Sequence, residues 1–293
     1  MNRIQVVRPG LQTTVQDVGR FGYAADGVSA SGAADALALR AGNLLVGNAE
    51  NAPALEMTLV GGTFVFENDA VVALTGSDFQ SGLPLWKSVE VRAGTEIRCR
   101  AASSGARGYL AVRGGIHVPL VLGSASTHVL TGIGGRALQA GDSLSIGEAQ
   151  IRQPRSNGIH PPEKYAGVLR VTAGPQASWF SDAWLDAVYQ VTEDSNRMGL
   201  RLRGPAIPSP AGHMLTEGVT LGAVQVPPDG QPILLFVEHQ TTGGYPKPAN
   251  VIAADLRLVG QLRPRDDVRF ERVSIEEALR ALQAQEEWLY SLI

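Results

Sequence analysis

The stretch Ala54-Leu-Glu-Met-Thr-Leu-Val-Gly-Gly-Thr-Phe-Val-Phe-Glu-Asn-Asp-Ala-Val-Val-Ala-Leu74 holds three short apolar runs separated by turn residues. Ala54–Leu59, Thr63–Phe66 and Ala70–Leu74 are too short for stable helices, rich in Val, Leu and Phe, and punctuated by Gly61-Gly62 and Asn68-Asp69. Such runs predict strands joined by tight turns. The same pattern recurs at Ile4–Val7, Tyr109–Val112 and Leu169–Thr172. Glycine supplies 34 of 293 residues, well above the usual value of about 7%, as a chain of many short strands and tight turns requires. The expectation is a mostly β protein built as barrels or sandwiches.

Three further segments read as apolar residue, small turn, apolar residue: Val91-Arg-Ala-Gly-Thr-Glu-Ile97, Leu138-Gln-Ala-Gly-Asp-Ser-Leu144 and Leu262-Arg-Pro-Arg-Asp-Asp-Val268. Each predicts a strand turning into another strand. After the second comes Arg152-Gln-Pro-Arg-Ser-Asn-Gly-Ile-His-Pro-Pro-Glu-Lys164, polar and rich in proline, which marks a domain boundary. The expected domains are 1–155 and 165–293. Two helices carry good signals. One has Ser31 as N-cap, Asp35 in its first turn, Leu37, Ala41, Leu44 and Leu45 as its apolar residues, and Gly47 as its stop. The other opens with the capping box Ser274-Ile-Glu-Glu277 and shows an apolar stripe of Ile275, Leu279, Leu282 and Trp288.

Composition excludes several functions. The 25 Lys and Arg against 28 Asp and Glu give a net charge of −3, so there is no global basic field to attract nucleic acid or an anionic membrane. No run approaches the roughly 18 apolar residues that span a bilayer. Cys99 is the single cysteine, so no disulfide framework exists, and a reduced, cytoplasmic setting fits. Gly132-Ile-Gly-Gly-Arg-Ala137 is a poor dinucleotide fingerprint, because Gly141-Asp142 arrives before a helix could complete two turns. There is no Gly-x-x-x-x-Gly-Lys-Ser/Thr phosphate loop and no Gly-x-Ser-x-Gly elbow. Histidines 117, 128, 160, 213 and 239 are too scattered to predict a metal site. The chain also lacks the Ala-Met-Lys-Met stretch of a biotin carrier, so no biotin is expected on it.

Polar residues instead gather in glycine-rich stretches. In Glu238-His-Gln-Thr-Thr-Gly-Gly-Tyr-Pro246, Gly243 and Gly244 let main-chain N–H groups approach a ligand, while Gln240, Thr241 and Thr242 can hydrogen-bond to an amide or carboxylate. Tyr245 can cover such a ligand. The helix start near Ser31 offers N–H groups to an anion, and Arg20 and Arg197 offer charge, unless they serve as structural partners of Asp17 and Asp194. Asp17 and Glu56 are the carboxylates for acid or base work, each beside apolar sequence that can desolvate it. Held by hydrogen bonds inside the fold, the same groups would be purely structural.

Gly10-Leu-Gln-Thr-Thr-Val-Gln-Asp-Val-Gly-Arg-Phe-Gly22, Ser31-Gly-Ala-Ala-Asp35, Gly108-Tyr-Leu-Ala-Val-Arg-Gly-Gly-Ile116, Ser195-Asn-Arg-Met-Gly-Leu-Arg-Leu202, Val226-Pro-Pro-Asp-Gly-Gln-Pro232 and Gln240-Thr-Thr-Gly-Gly-Tyr-Pro246 together closely resemble the family of 5-oxoprolinase C subunits. That family is also called biotin-dependent carboxyltransferase, allophanate hydrolase subunit 2, or KipI antagonist. The resemblance runs in order from about residue 8 to 272. It implies two cyclophilin-like β-barrel subdomains and a heteromeric complex with two companions, the KipI-like B subunit of 5-oxoprolinase and its A subunit, of the lactam-utilisation type. The implied reaction is ATP-dependent opening of 5-oxoproline to glutamate, with ATP as co-substrate of the complex. The implied binding residues are Arg20, Ser31, Asn196, Arg197 and the 240–245 segment, for a small lactam or amide. Two other readings stay open: a carboxyltransferase of a urea-carboxylase-type system, with biotin carried on another chain, and a non-catalytic regulator that binds a KipI-like inhibitor. Pro248 and Arg265 depart from the family pattern, which has an aliphatic residue and a glycine there.

Overall fold

The computed structural model describes residues 2–149, 153–154, 158–162, 166–209 and 214–292. Its contacts divide the chain into one unit of Met1–Arg20, Ser31–Glu163 and Trp288–Ile293 and another of Phe21–Ala30 and Lys164–Glu287. The expected blocks 1–155 and 165–293 are thus interleaved rather than consecutive. The chain end joins the first unit for an apolar reason. Leu289 and Leu292 share a core with Leu37, Leu45 and Trp86, and the Trp288 ring meets Trp86 edge to face at 6.2 Å. Much of the expected boundary, including 155–157 and 163–164, lies outside the described residues.

The short runs do form strands, and the protein is mostly β. The first unit contains β1 (Arg3–Arg8), β2 (Gln12–Gln16), β3 (Ala54–Thr58), β4 (Thr63–Phe66), β5 (Ala70–Gly76), β6 (Ser88–Val91), β7 (Glu96–Arg98), β8 (Arg107–Val112), β9 (Ile116–His117) and β10 (Ser143–Ile146). They pair into two antiparallel sheets, ordered β7-β4-β1-β10-β9 and β2-β3-β8-β5-β6. Ile4, Phe64, Phe66 and Ile146 from the one sheet and Leu55, Met57, Val72 and Leu110 from the other fill a single core. Fully burying each such side chain contributes about 1.5–3 kcal/mol. The helix α1 (Ala36–Leu45) packs on β5 and β8, where Gly42 permits close approach: a Cβ there would lie 2.9 Å from Thr75 Oγ1.

The second unit is a closed barrel. Its strands are β11 (Val168–Ala173), β12 (Tyr189–Val191), β13 (Gly199–Arg203), β15 (Ala223–Gln225), β16 (Ile233–Leu235), β18 (Ala249–Val251) and β19 (Asp267–Arg272), in the order β11-β18-β15-β16-β13-β12-β19. The parallel pairing of β11 with β19 closes the ring. A separate two-stranded flap is made by β14 (Glu217–Gly218) and β17 (Thr242–Gly243). Helices α2 (Leu256–Gln261) and α3 (Ile275–Tyr290) follow β18 and β19. Among the described residues no helix is long and apolar enough to cross a membrane.

The three expected hairpins come out differently. Val91 ends β6 and Glu96 begins β7, but the two strands belong to different sheets, so Arg92–Thr95 turns a corner between them. Leu138 lies outside any strand, and Leu262 caps α2 rather than ending a strand. The turns themselves are present, with Gly94 at φ 76° and Gly141 at φ 90°. Helix α1 begins later than expected: Asp35 is its N-cap, accepting from Ala38 N at 2.9 Å, while Ser31 sits upstream at φ 55°. In α3 the capping box is present, with Ser274 N donating to Glu277 Oε2 at 2.8 Å and Glu277 N to Ser274 Oγ at 3.2 Å. Its expected stripe is not a buried face, because Ile275 and Leu279 are exposed.

Candidate functional site

In the first unit, the turn after β2 carries two candidates into a closed polar network. Asp17 Oδ1 accepts from Gly19 N at 2.8 Å, Ser124 Oγ at 2.6 Å and Ser126 Oγ at 2.5 Å, and Oδ2 accepts from Ala125 N at 2.7 Å. With three donors on Oδ1 and one on Oδ2, Asp17 organises the 124–126 segment. Arg20, 1% exposed, donates through Nη2 to the Ser126 carbonyl. Gly134 makes room for that contact, since a Cβ would lie 2.7 Å from Arg20 Nη2. Ser31 Oγ donates to the Thr127 carbonyl at 3.2 Å. Asp17, Arg20 and Ser31 are thus brought together around one loop.

Glu56 stands in β3, buried beneath the start of α1. Its Oε2 accepts from Ala34 N and Tyr109 Oη, each at 2.8 Å, and Oε1 faces Arg107 Nε at 3.8 Å. Asp35 N donates to Tyr109 Oη at 2.7 Å. The N–H groups expected to greet an anion near Ser31 are therefore largely taken by the protein's own Glu56, Tyr109 and Asp35. Burial, reinforced by the Glu56 charge, pushes the Tyr109 hydroxyl well above the ordinary tyrosine range, so it stays a neutral donor. A cavity of about 400 Å³ elsewhere in this unit, lined by Asp69, Glu90, Arg92 and Arg113, contains none of the candidates.

In the second unit, Arg197 and Glu238 form a buried ion pair, Nε to Oε1 at 2.5 Å. The expected partner Asp194 is exposed. A buried pair of this kind is strongly destabilised by removal of one member, by about 3–5 kcal/mol. Asn196 is exposed, and its Oδ1 accepts from Met198 N at 2.8 Å, shaping its own turn. Beyond Glu238 the chain rises to the surface. The His239 ring accepts a neutral state readily, because burial lowers its pKa, and its Nδ1 donates to the Gln240 carbonyl at 2.6 Å. Gln240, Thr242 and Tyr245 are exposed, Thr241 and both glycines are half-buried, and Thr242-Gly243 pairs with the Glu217-Gly218 strand. The segment expected to face a ligand is thus presented at the surface of the barrel.

Two residues of this region escape a reading of the sequence. Lys247 has a side chain only 3% exposed, with Nζ 2.6 Å from Glu217 Oε1. Gln176 ties the pair down by donating from Nε2 to Glu217 Oε1 at 2.9 Å and accepting from Lys247 N at 3.0 Å. Lys247, and then Gln176, hold the Glu217 carboxyl below its ordinary range. Gln225, at the end of β15, accepts from Gln240 Nε2 at 3.2 Å. Lysine's scarcity in this chain is the available signal for the first; Gln225 gives none, since it reads as one more residue of an apolar strand.

This arrangement has clear relatives. The carboxyltransferase domain, subdomain A and B, matches residues 26–272. The C subunit of 5-oxoprolinase from Escherichia coli strain K12 is 40% identical over 99% of this chain and 97% of its own length. The urea amidolyase of Saccharomyces cerevisiae is 34% identical over 99% of this chain, which covers 18% of that much longer protein. The crystal structure of K. lactis urea amidolyase superposes with a TM-score of 0.91 at 28% identity, over 99% of this chain and 20% of that one. With the match spanning both units, the chain belongs to the family of the carboxyltransferase domain, subdomain A and B.

Proposed function

We propose that this chain is the C-type member of a multi-subunit, ATP-dependent 5-oxoprolinase that opens the lactam 5-oxoproline to glutamate. The observation that carries the reading is the near full-length likeness to the E. coli protein of that name. Opening a lactam breaks a resonance-stabilised C–N bond and adds water across it, a step that coupling to ATP drives. The chain has no phosphate loop, so in this reading ATP is handled mainly by the two companions, one KipI-like and one of the lactam-utilisation type. In this reading the assembly works in the cytoplasm, where ATP is supplied. The part assigned to this chain is binding: in the second unit the 240–245 segment holds the amide or carboxylate, with Asn196 and Arg197 as supporting groups, while in the first unit Arg20 and Ser31 hold the 126–127 carbonyls. Asp17 and Glu56, each tied by hydrogen bonds to neighbouring segments, serve in this reading to position loops.

The superposition on urea amidolyase favours a second reading, a carboxyltransferase acting on a urea-type amide with biotin supplied by another chain. It ranks lower because this chain corresponds to only a fifth of that protein. Reconstitution separates the two. The purified chain alone is expected to release no glutamate from 5-oxoproline and ATP, and the chain with both companions is expected to release it. Turnover by the isolated chain would overturn the multi-subunit reading, and activity only with urea and a biotin carrier would favour the second.

A further inference from the structure

Gln225 is 1% exposed, yet its carboxamide is only half used. Its Oε1 accepts from Gln240 Nε2 at 3.2 Å, while its own Nε2 has no hydrogen-bond partner among the described residues. A buried donor left unpaired forfeits its hydration, so such groups are few in folded proteins and point to a role in binding. This one is aimed at the loop discussed above: a Cβ on Gly243 would lie 2.5 Å from Gln225 Nε2, 3.2 Å from Val219 Cγ1 and 3.5 Å from Gln240 Nε2. Glycine at 243 is what lets the flap strand β17 and the carboxamide approach each other.

The shape of a carboxamide selects its partner. Its C=O and one N–H lie parallel in a plane, an acceptor beside a donor. A group offering the reverse order along one edge closes a ring of two hydrogen bonds with it. Open-chain secondary amides cannot do so, because a trans amide points its N–H and C=O in opposite directions. A lactam, locked cis by its ring, presents both on one edge, and so do urea and primary amides. Among the described residues the Gln225 acceptor is occupied by the exposed side chain of Gln240, which can turn into solvent.

We propose that Gln225 reads the cis-amide edge of a lactam or urea-type ligand, which donates to Oε1 in place of Gln240 and accepts from Nε2. The proposal rests on the ligand role of the 240–245 segment and adds to it a named donor and acceptor and a chemical class. It is tested by titrating the full nitrogen-15-labelled chain with 5-oxoproline, with 2-pyrrolidinone, and with N-methyl-2-pyrrolidinone, which keeps the ring but lacks the N–H. The two N–H lactams are expected to shift the backbone amides of 225 and 240–245, and the N-methyl compound to bind about ten-fold more weakly or worse, as the loss of a hydrogen bond requires. Gln225→Met keeps the length without the polar atoms. It is expected to weaken lactam binding by about ten-fold or more and to leave the unfolding temperature unchanged or raised, since an unpaired buried donor is removed.

Equal binding of the N-methyl compound, wild-type affinity in Gln225→Met, or no binding by the wild-type chain would each overturn the proposal. The N-methyl comparison decides the matter on the unaltered chain even if the methionine variant does not fold. Shifts at 240–245 that persist in Gln225→Met remove Gln225 from the site and leave the loop's role standing. If no lactam moves any amide of 240–245, the loop's role falls as well.

Discussion

Gly243 and Gly244 are neighbours, yet a side chain costs different amounts at the two. Neither adopts a positive φ, so the difference lies in space rather than in backbone angle. At 243 a Cβ would press at 2.5 Å on Gln225 Nε2, a buried group with little freedom to retreat. At 244 it would meet Met214 O and Thr216 Oγ1 at 3.6 Å, ordinary contact. Gly243→Ala is therefore expected to cost about 1–3 kcal/mol, as overpacking does, and Gly244→Ala to change stability by less than about 0.5 kcal/mol. Urea unfolding of the two variants checks the order, and a larger loss at 244 would refute the argument. Arg265 teaches the complementary lesson. It stands where the family pattern has glycine, and it adopts φ 75°, the left-handed backbone that glycine takes without strain. That departure is visible in the sequence, and its physical meaning appears only with the angle.

Elements are legible where the signal is local. The runs 54–58, 63–66 and 70–74 become β3, β4 and β5 because short apolar runs bounded by turn formers specify a strand without reference to a partner. Pairing is not legible: Arg92–Thr95 carries a good turn yet links strands of two sheets, although Val91 and Ile97 enter the same core. Helix starts show the same limit. Ser31 and Asp35 are both good caps by type, and Asp35 wins because its side chain reaches Ala38 N while Ser31 Oγ is drawn to the Thr127 carbonyl. Asp35→Ala is expected to lower stability by about 0.5–2 kcal/mol, the usual loss of an N-cap. Ser31→Ala should cost less, and chemical denaturation that ranks the two in reverse would return the cap to Ser31. Of the candidate site, the exposed loop at 240–245 is legible from its composition. The buried Gln225 and Lys247 are not, because desolvation and the missing partner are properties of the packed chain.

At the scale of the molecule, the likeness to relatives extends across both units, and each unit joins strands far apart in sequence. In the first, Arg3 of β1 lies opposite Ser145 of β10. The second does the same. Its opening strand β11 takes both of its neighbours from the end of the chain, Val171 against Val251 and Val168 against Arg269. A chain ending at Gln261 lacks β19 and so deprives both β11 and β12 of a neighbour. Such a truncation is expected to lose slow hydrogen exchange across β11 and β12, and native-like protection there would count against an obligatory closure by β19. During synthesis the same closure imposes a wait. Val168-Leu-Arg-Val-Thr-Ala173 leaves the ribosome as an apolar strand with two open edges and meets its last partner only after about 100 more residues have been added, several seconds at about 5–20 residues per second. Throughout that interval its unpaired N–H and C=O groups can template pairing with another nascent copy. Yield of folded protein in a cell should therefore depend on how quickly the last 30 or so residues are translated and on what shields β11 until they arrive.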